Sequence, residues 1–373
     1  EHMCFKGTAK RPKAIDIASE LDALGAEYNA FTSQEYTGYF AKVESHKLDK
    51  ALDVVTDIYM NPVFNETEIE KEKGVIIEEL NMYEDLPMRK VQDIFMELLY
   101  GDQPAGWDVG GRKEVIKVLN RDNFLKYRSQ HYLAKSTLIV VAGAFDEKDI
   151  LVKIKNGFAR IADDSKGSKL PVKEIQKKPA LKVKFKELDQ MHLVLGCRAF
   201  SLHDPRKYAL DVLADILGGG MSSRLFQKVR EELGAAYYVK ASSDLLTDHG
   251  IFSVSAGIEL SKLNIVVGAI LKEMKKLTND LVEDKELQKA KSHLTGKVIL
   301  GLEASDALAS YYGGQEILGE ELVSPQELIK KIDLVTAKEI KSLAKEIFKN
   351  EKLNLAIIGP VKDEASLEKV LRF

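Results

Sequence analysis

Glu1 and His2, together with the carboxylate run Glu78-Glu79, are the residue types from which a metal site is built. Imidazole and carboxylate suit a borderline cation such as Zn2+, and a helical HxxEH pattern sets two histidines one turn apart on one face with a glutamate between them. Glu1 and His2 read as the last two letters of that pattern, whose first histidine would fall three residues before Glu1. Taken alone, such a pair is an ordinary surface feature of a helix. Its weight comes from the segments that accompany it.

Those segments run in order: EHMCFKGT from Glu1, LGAEYNAFTSQEYTGYFAKV from Leu24 and EIEKEKGVIIEEL from Glu68. In sequence and spacing they resemble the pitrilysin (insulinase) family of zinc peptidases, the inverted zincins, and within it the mitochondrial-processing-peptidase branch with its bacterial relatives of about this length. The likeness continues through the second half of the chain.

The resemblance implies a role for each of seven residues. His2 and Glu79, which lies 77 positions further on, become ligands of a Zn2+ cofactor. Glu78 points about 100° away from Glu79 on a helix. Glu1 becomes the general base that takes a proton from the metal-activated water. Glu72, two turns before Glu79 on the same face, is a catalytic-site group that orients a ligand or bears on proton transfer, with a simple pairing to Lys71 or Lys73 as the alternative. Asn29, in an edge strand where an extended peptide adds by backbone hydrogen bonds, contacts the substrate backbone or else forms a turn. Arg230 and Tyr237, in the segment Val229 to Tyr237, hold the scissile carbonyl and its oxyanion. For that pair the alternative is a helix-terminal arginine and a core tyrosine.

The elements that must position these groups follow from periodicity. Ala14 to Leu24 carries apolar residues at helical spacing and ends at Gly25, after which Tyr28 to Thr32 and Thr37 to Val43 read as a hairpin. Leu48 to Tyr59 is a helix stopped by Asn61-Pro62, and Glu66 to Tyr83 is another, capped by Asn65 or Thr67. Val91 to Leu99 and Arg121 to His131 are further helices, and Thr137 to Ala142 is an apolar strand ending at Gly143. A polar stretch with Ser165-Lys166-Gly167-Ser168 and two prolines reads as a linker over 163–180. Beyond it, Leu181 to Lys186 alternates as a strand with one solvated face, and His192 to Phe200 reads as its apolar neighbour.

Later segments echo earlier ones. LGAEY at Leu24 returns as LGAAY at Leu233, and the apolar run ending at Gly143 returns at Leu355 to Gly359. We therefore expect an α+β fold of two homologous domains, each an antiparallel sheet with helices packed on it: 1–162, metal-binding, and 181–373, catalytically silent because Leu217 to Arg224 carries no EH pair. From Leu181 to Leu233 is 52 residues, whereas from Glu1 to Leu24 is 23. On that measure the first copy lacks its opening strands and first histidine, the pattern of an N-terminally truncated chain.

A length of 373 residues favours two domains over one core. Balanced charge, 55 basic against 58 acidic residues, leaves no electrostatic footprint for nucleic acid. No apolar run reaches the ~18 to 20 residues that span a bilayer. Cys4 and Cys197 are too few and too far apart for a disulfide framework and read as buried thiols. The expectation is a zinc-dependent endopeptidase, cytoplasmic and homodimeric, that cuts peptides or presequence-like segments in a chamber enclosed by the dimer. The alternative is a non-catalytic relative that binds peptide or serves assembly.

Overall fold

The computed structural model describes residues 1–164 and 167–373; Ser165 and Lys166, part of the expected linker, lie outside the described residues. The chain is α+β and divides into two compact units that interleave along the sequence. Unit 1 comprises residues 1–82, 108–169 and 302–322, and unit 2 the remainder.

Unit 1 begins with a short 3-10 turn, His2–Phe5, followed by α1 (Ala14–Ala23), the hairpin β1 (Glu27–Thr32) and β2 (Thr37–Lys42), α2 (Leu48–Met60) and α3 (Glu66–Glu84, assigned to this unit as far as Met82). Asn65 caps α3, its side-chain oxygen accepting from the amides of Thr67 and Glu68. The hairpin is antiparallel, with Asn29 opposite Phe40 and Thr32 opposite Thr37. Ile17, Leu21, Val54 and Ile58 form the core beneath it, where α1 and α2 turn their apolar stripes to each other. The exit from α1 needs a left-handed residue, supplied by Gly25 at φ +64°.

The run 137–142 forms no strand. An apolar segment becomes a strand only where neighbours take its backbone groups, and among the described residues no strand pairs with this one. Its counterpart in unit 2, β7 (Leu353–Ile358), is held between two strands.

Unit 2 is built on a five-stranded sheet in the order β3-β7-β4-β6-β5, from β3 (Ala180–Lys184), β4 (Gln190–Arg198), β5 (Ala236–Leu245), β6 (Gly250–Glu259) and β7. Two expectations are corrected here. The sheet is mixed rather than antiparallel, because β3 runs parallel to β7, and β4 is not the neighbour of β3, since β7 inserts between them. Only the return of the chain's last strand supplies that pairing, and local pattern carries no trace of it. In unit 1 the described sheet is the hairpin alone.

One face of the five-stranded sheet packs on α8 (Lys207–Gly218), α9 (Leu263–Asn279) and α13 (Ala337–Ile347) around Leu193, Leu213, Phe252 and Ile340. The other face is covered by α4 (Pro87–Tyr100) through Val91, Ile94, Phe95 and Leu99. The segment 170–179 has no regular structure but is strapped to unit 2. Gln103 exchanges two hydrogen bonds with the Lys173 backbone, and Gln176 donates to the Leu353 carbonyl.

Candidate metal centre

Each group of the site owes its place to a neighbouring anchor. The turn carrying His2 is nailed down by its buried residues Met3 and Cys4, Met3 packing with Phe64 and Ile69. Behind it, Arg11 is 2% exposed and pairs with Glu20, Asp53 and Asp57, tying the opening segment to α1 and α2. Burial opposes the Arg11 charge, but the hydrogen bonds it donates to these three carboxylates hold its pKa above the usual value. Sequence reading missed Arg11; an arginine followed by evenly spaced acids on two helices was the available signal.

His2 presents its ring edge-on between two carboxylates of α3. Nδ1 lies 2.8 Å from Glu72 Oε1, and Nε2 lies 3.8 Å from Glu79 Oε2. Glu72 is buried, and Lys6 Nζ reaches its second oxygen at 2.6 Å. Burial alone would raise the Glu72 pKa, but the hydrogen bonds from Lys6 and His2 outweigh it and hold the carboxyl below its ordinary range. An ionised carboxylate only accepts, so Nδ1 donates to Glu72 and Nε2 is the nitrogen turned toward Glu79. Glu72 therefore bonds His2 and Lys6, and the recorded partners of Lys71 and Lys73 are Glu68 and Glu70 instead. Glu78 points elsewhere, accepting from Asn81, as the helical wheel requires.

Ligands of a tetrahedral metal with ~2.0–2.1 Å bonds sit roughly 3.3 Å apart, close to the 3.8 Å between His2 Nε2 and Glu79 Oε2. The pair fits zinc in kind and spacing, as two donors. Among the described residues no group of three or more His, Cys, Asp or Glu is gathered to hold a metal.

Glu1 is brought to the end of the hairpin, where Thr32 Oγ1 donates to its Oε2 at 2.9 Å. Asn29 lies in the middle of β1, and its side-chain oxygen accepts from the amide of Ala30 rather than forming a turn.

In unit 2, Arg230 lies on a π-helix, Phe226–Glu232, with its guanidinium 4.8 Å from the Phe226 ring centroid and 5.9 Å from that of Tyr237. Tyr237 is 76% exposed, which removes the core-tyrosine alternative. It stands at a register shift between Ala236 and Tyr238, so the strand is locally irregular where this ring leaves it. A cavity of about 340 Å3 opens beside it, lined by Gln190, Ala235, Ile258 and Glu259. Gly234, at φ +54°, repeats the turn of Gly25 at the matching point of the sequence echo.

The stretch Asp215 to Arg224 is held by a polar latch. His293 Nδ1 pairs with Asp215, Arg224 with Glu286, and Lys289 donates to the Ser222 carbonyl, all from one stripe of α10 (Asp284–Gly301).

The opening turn and the third helix face a histidine and a glutamate toward each other, as the expected zinc-peptidase resemblance requires. The comparisons agree. Residues 1–111 match the family profile described as insulinase (peptidase family M16), and residues 119–294 that of the peptidase M16 inactive domain. An uncharacterized zinc protease of Streptomyces coelicolor is 32% identical over 370 residues, covering 98% of this chain and 80% of that protein. A protease from Helicobacter pylori has the same fold, with TM-score 0.88 and 23% identity over 96% of this chain and 88% of that one. So does a chain of Complex III2 from Candida albicans, with TM-score 0.83 and 18% identity over 96% and 90%. The chain belongs to the insulinase family, peptidase family M16.

Proposed function

We propose that this protein is a zinc-dependent endopeptidase acting on extended or unfolded peptides. The observation that carries the reading is the His2 ring, fixed at Nδ1 by buried Glu72 and aimed through Nε2 at Glu79. A carboxylate behind a ligating imidazole fixes its tautomer and raises its basicity. His2 and Glu79 would be two of the metal's protein ligands.

Zinc bound there would supply Lewis acidity toward water and a peptide carbonyl. The remaining work falls to the chain. Glu1 accepts the proton of the attacking water and passes it to the leaving amine. The open edge of β1 takes the peptide as an added strand, with Asn29 turning its side chain from Ala30 to the substrate backbone. Arg230 and Tyr237 offer a guanidinium and a phenol to a carbonyl oxygen of bound peptide. Unit 2, whose stretch Leu217 to Arg224 carries no EH pair, is silent. A homodimer enclosing the substrate completes the proposal, with cytoplasm as its compartment; no described helix is long and apolar enough to cross a membrane.

The test is zinc content and cleavage of a quenched peptide by the full-length gene product, with and without Glu79→Gln. The second reading, a non-catalytic relative, draws on the described residues gathering no group of three or more His, Cys, Asp or Glu. It would be upheld by a full-length protein that holds no zinc and cuts nothing.

A further inference from the structure

Nothing so far accounts for why the carboxylate of Glu1 lies against the hairpin. We infer that Thr32 is a positioning residue for Glu1, coupling the peptide-docking strand to the base. This rests on the zinc peptidase reading.

Glu1 flanks the His2 turn and its side chain is only half-buried, so packing does not fix its rotamer. Among the described residues it has one recorded side-chain hydrogen bond, from Thr32 Oγ1 to Oε2 at 2.9 Å. Thr32 is the last residue of β1, two positions past Ala30 on the strand that carries Asn29. Its own hydroxyl is oriented from across the hairpin: Thr37, its register partner, donates to Thr32 Oγ1 at 3.5 Å, the long limit of such a bond. A hydroxyl that accepts from Thr37 has its proton left for Glu1. The bond to an ionised carboxylate is of the stronger kind.

Two consequences follow. Oε2 is held by Thr32, leaving Oε1 as the oxygen that takes the proton. Any shift of β1 as a peptide adds along its edge moves the carboxylate with it, so docking and base placement are one motion. Thr32 touches neither His2 nor Glu79 in the recorded contacts, so its effect should spare the metal.

The test compares Thr32→Val, which keeps β-branching and loses the donor, with Thr32→Ser, which keeps the donor. In the full-length protein Thr32→Val should lower kcat about tenfold or more, on the scale of the ~10²-fold that misplacement of a reacting group costs, with KM within about twofold. Thr32→Ser should stay within about twofold of wild type in both constants. A second readout needs no metal. In the metal-free protein, the 13C carboxyl resonance of Glu1, assigned by its loss in Glu1→Gln, should move in Thr32→Val and stay in Thr32→Ser. An unmoved resonance, or a Thr32→Val enzyme that changes only KM, overturns the inference. If wild type cuts nothing, the peptidase reading falls, and the resonance still decides whether Thr32 holds Glu1.

Discussion

His2 is held from behind by a carboxylate that cannot leave, and this decides what its other nitrogen does. Glu72 is buried and shared with Lys6, so it stays ionised and keeps the imidazole proton on Nδ1. Removing it should therefore harm metal binding without touching a ligand. Glu72→Ala is expected to weaken zinc binding by about 10- to 100-fold, measured by competition with a chromogenic chelator. Unchanged affinity would mean that the ring is oriented by something else. At this scale much was legible in the sequence. Helical spacing sets Glu78 about 100° from Glu79 and places Glu72 on the Glu79 face, while the family resemblance singled out Glu79. Lys6 and Thr32 were not legible, because each acts through a tertiary contact with a residue dozens of positions away.

The site's elements are carried by a hub that local pattern does not reveal. Arg11 joins the segment after His2 to both α1 and α2, and its Nη1 lies 2.8 Å from Asp57, itself buried. Arg11→Met should destabilise the protein by about 3–5 kcal/mol, because Asp57 would remain as a buried charge without its partner. Thermal melts of the variant, against Arg11→Met combined with Asp57→Asn, check this. Recovery of most of the loss in the double variant is expected, and equal loss in both would place the cost elsewhere. Helices and the hairpin were readable because amphipathic period and turn residues are local. The strand expected at 137–142 was misread because a continuous apolar run does not by itself supply the partner a strand needs, and Leu138 and Val140 stand exposed. The order of β3, β7 and β4 was hidden because pairing between residues more than 170 positions apart leaves no local mark.

Across the whole molecule, charge pairs that tie successive segments together set the response to acid. Glu84, at the end of α3, is opposed by burial but bonded by Lys184 and Lys90, which bring its carboxyl down from 4.5 to about 2. A carboxyl lowered on folding stabilises the protein above its unfolded pKa, and that contribution fades as pH falls through the folded value. Stability should thus decline between pH 4.5 and about 2 partly through Glu84. Glu84→Gln should flatten that part of a denaturation profile, and an unaltered slope would exclude the pair. The two cysteines, both buried, take no part in such links. Burial pushes the Cys197 thiol up to about 12. The repeat was legible as LGAEY and LGAAY, and in each the glycine occupies a left-handed turn. In unit 1 His2 and Glu79 face each other, whereas in unit 2 the stretch Asp215 to Arg224 is held by a salt-bridged latch. The central claim is that the donors facing each other in the first copy make a working zinc site. Zinc content and peptide cleavage of the full-length protein, beside its Glu79→Gln variant, test it most directly. The account predicts about one zinc per chain and cleavage, both lost in Glu79→Gln. A wild-type protein without zinc, or a Glu79→Gln protein that keeps both zinc and activity, would contradict it.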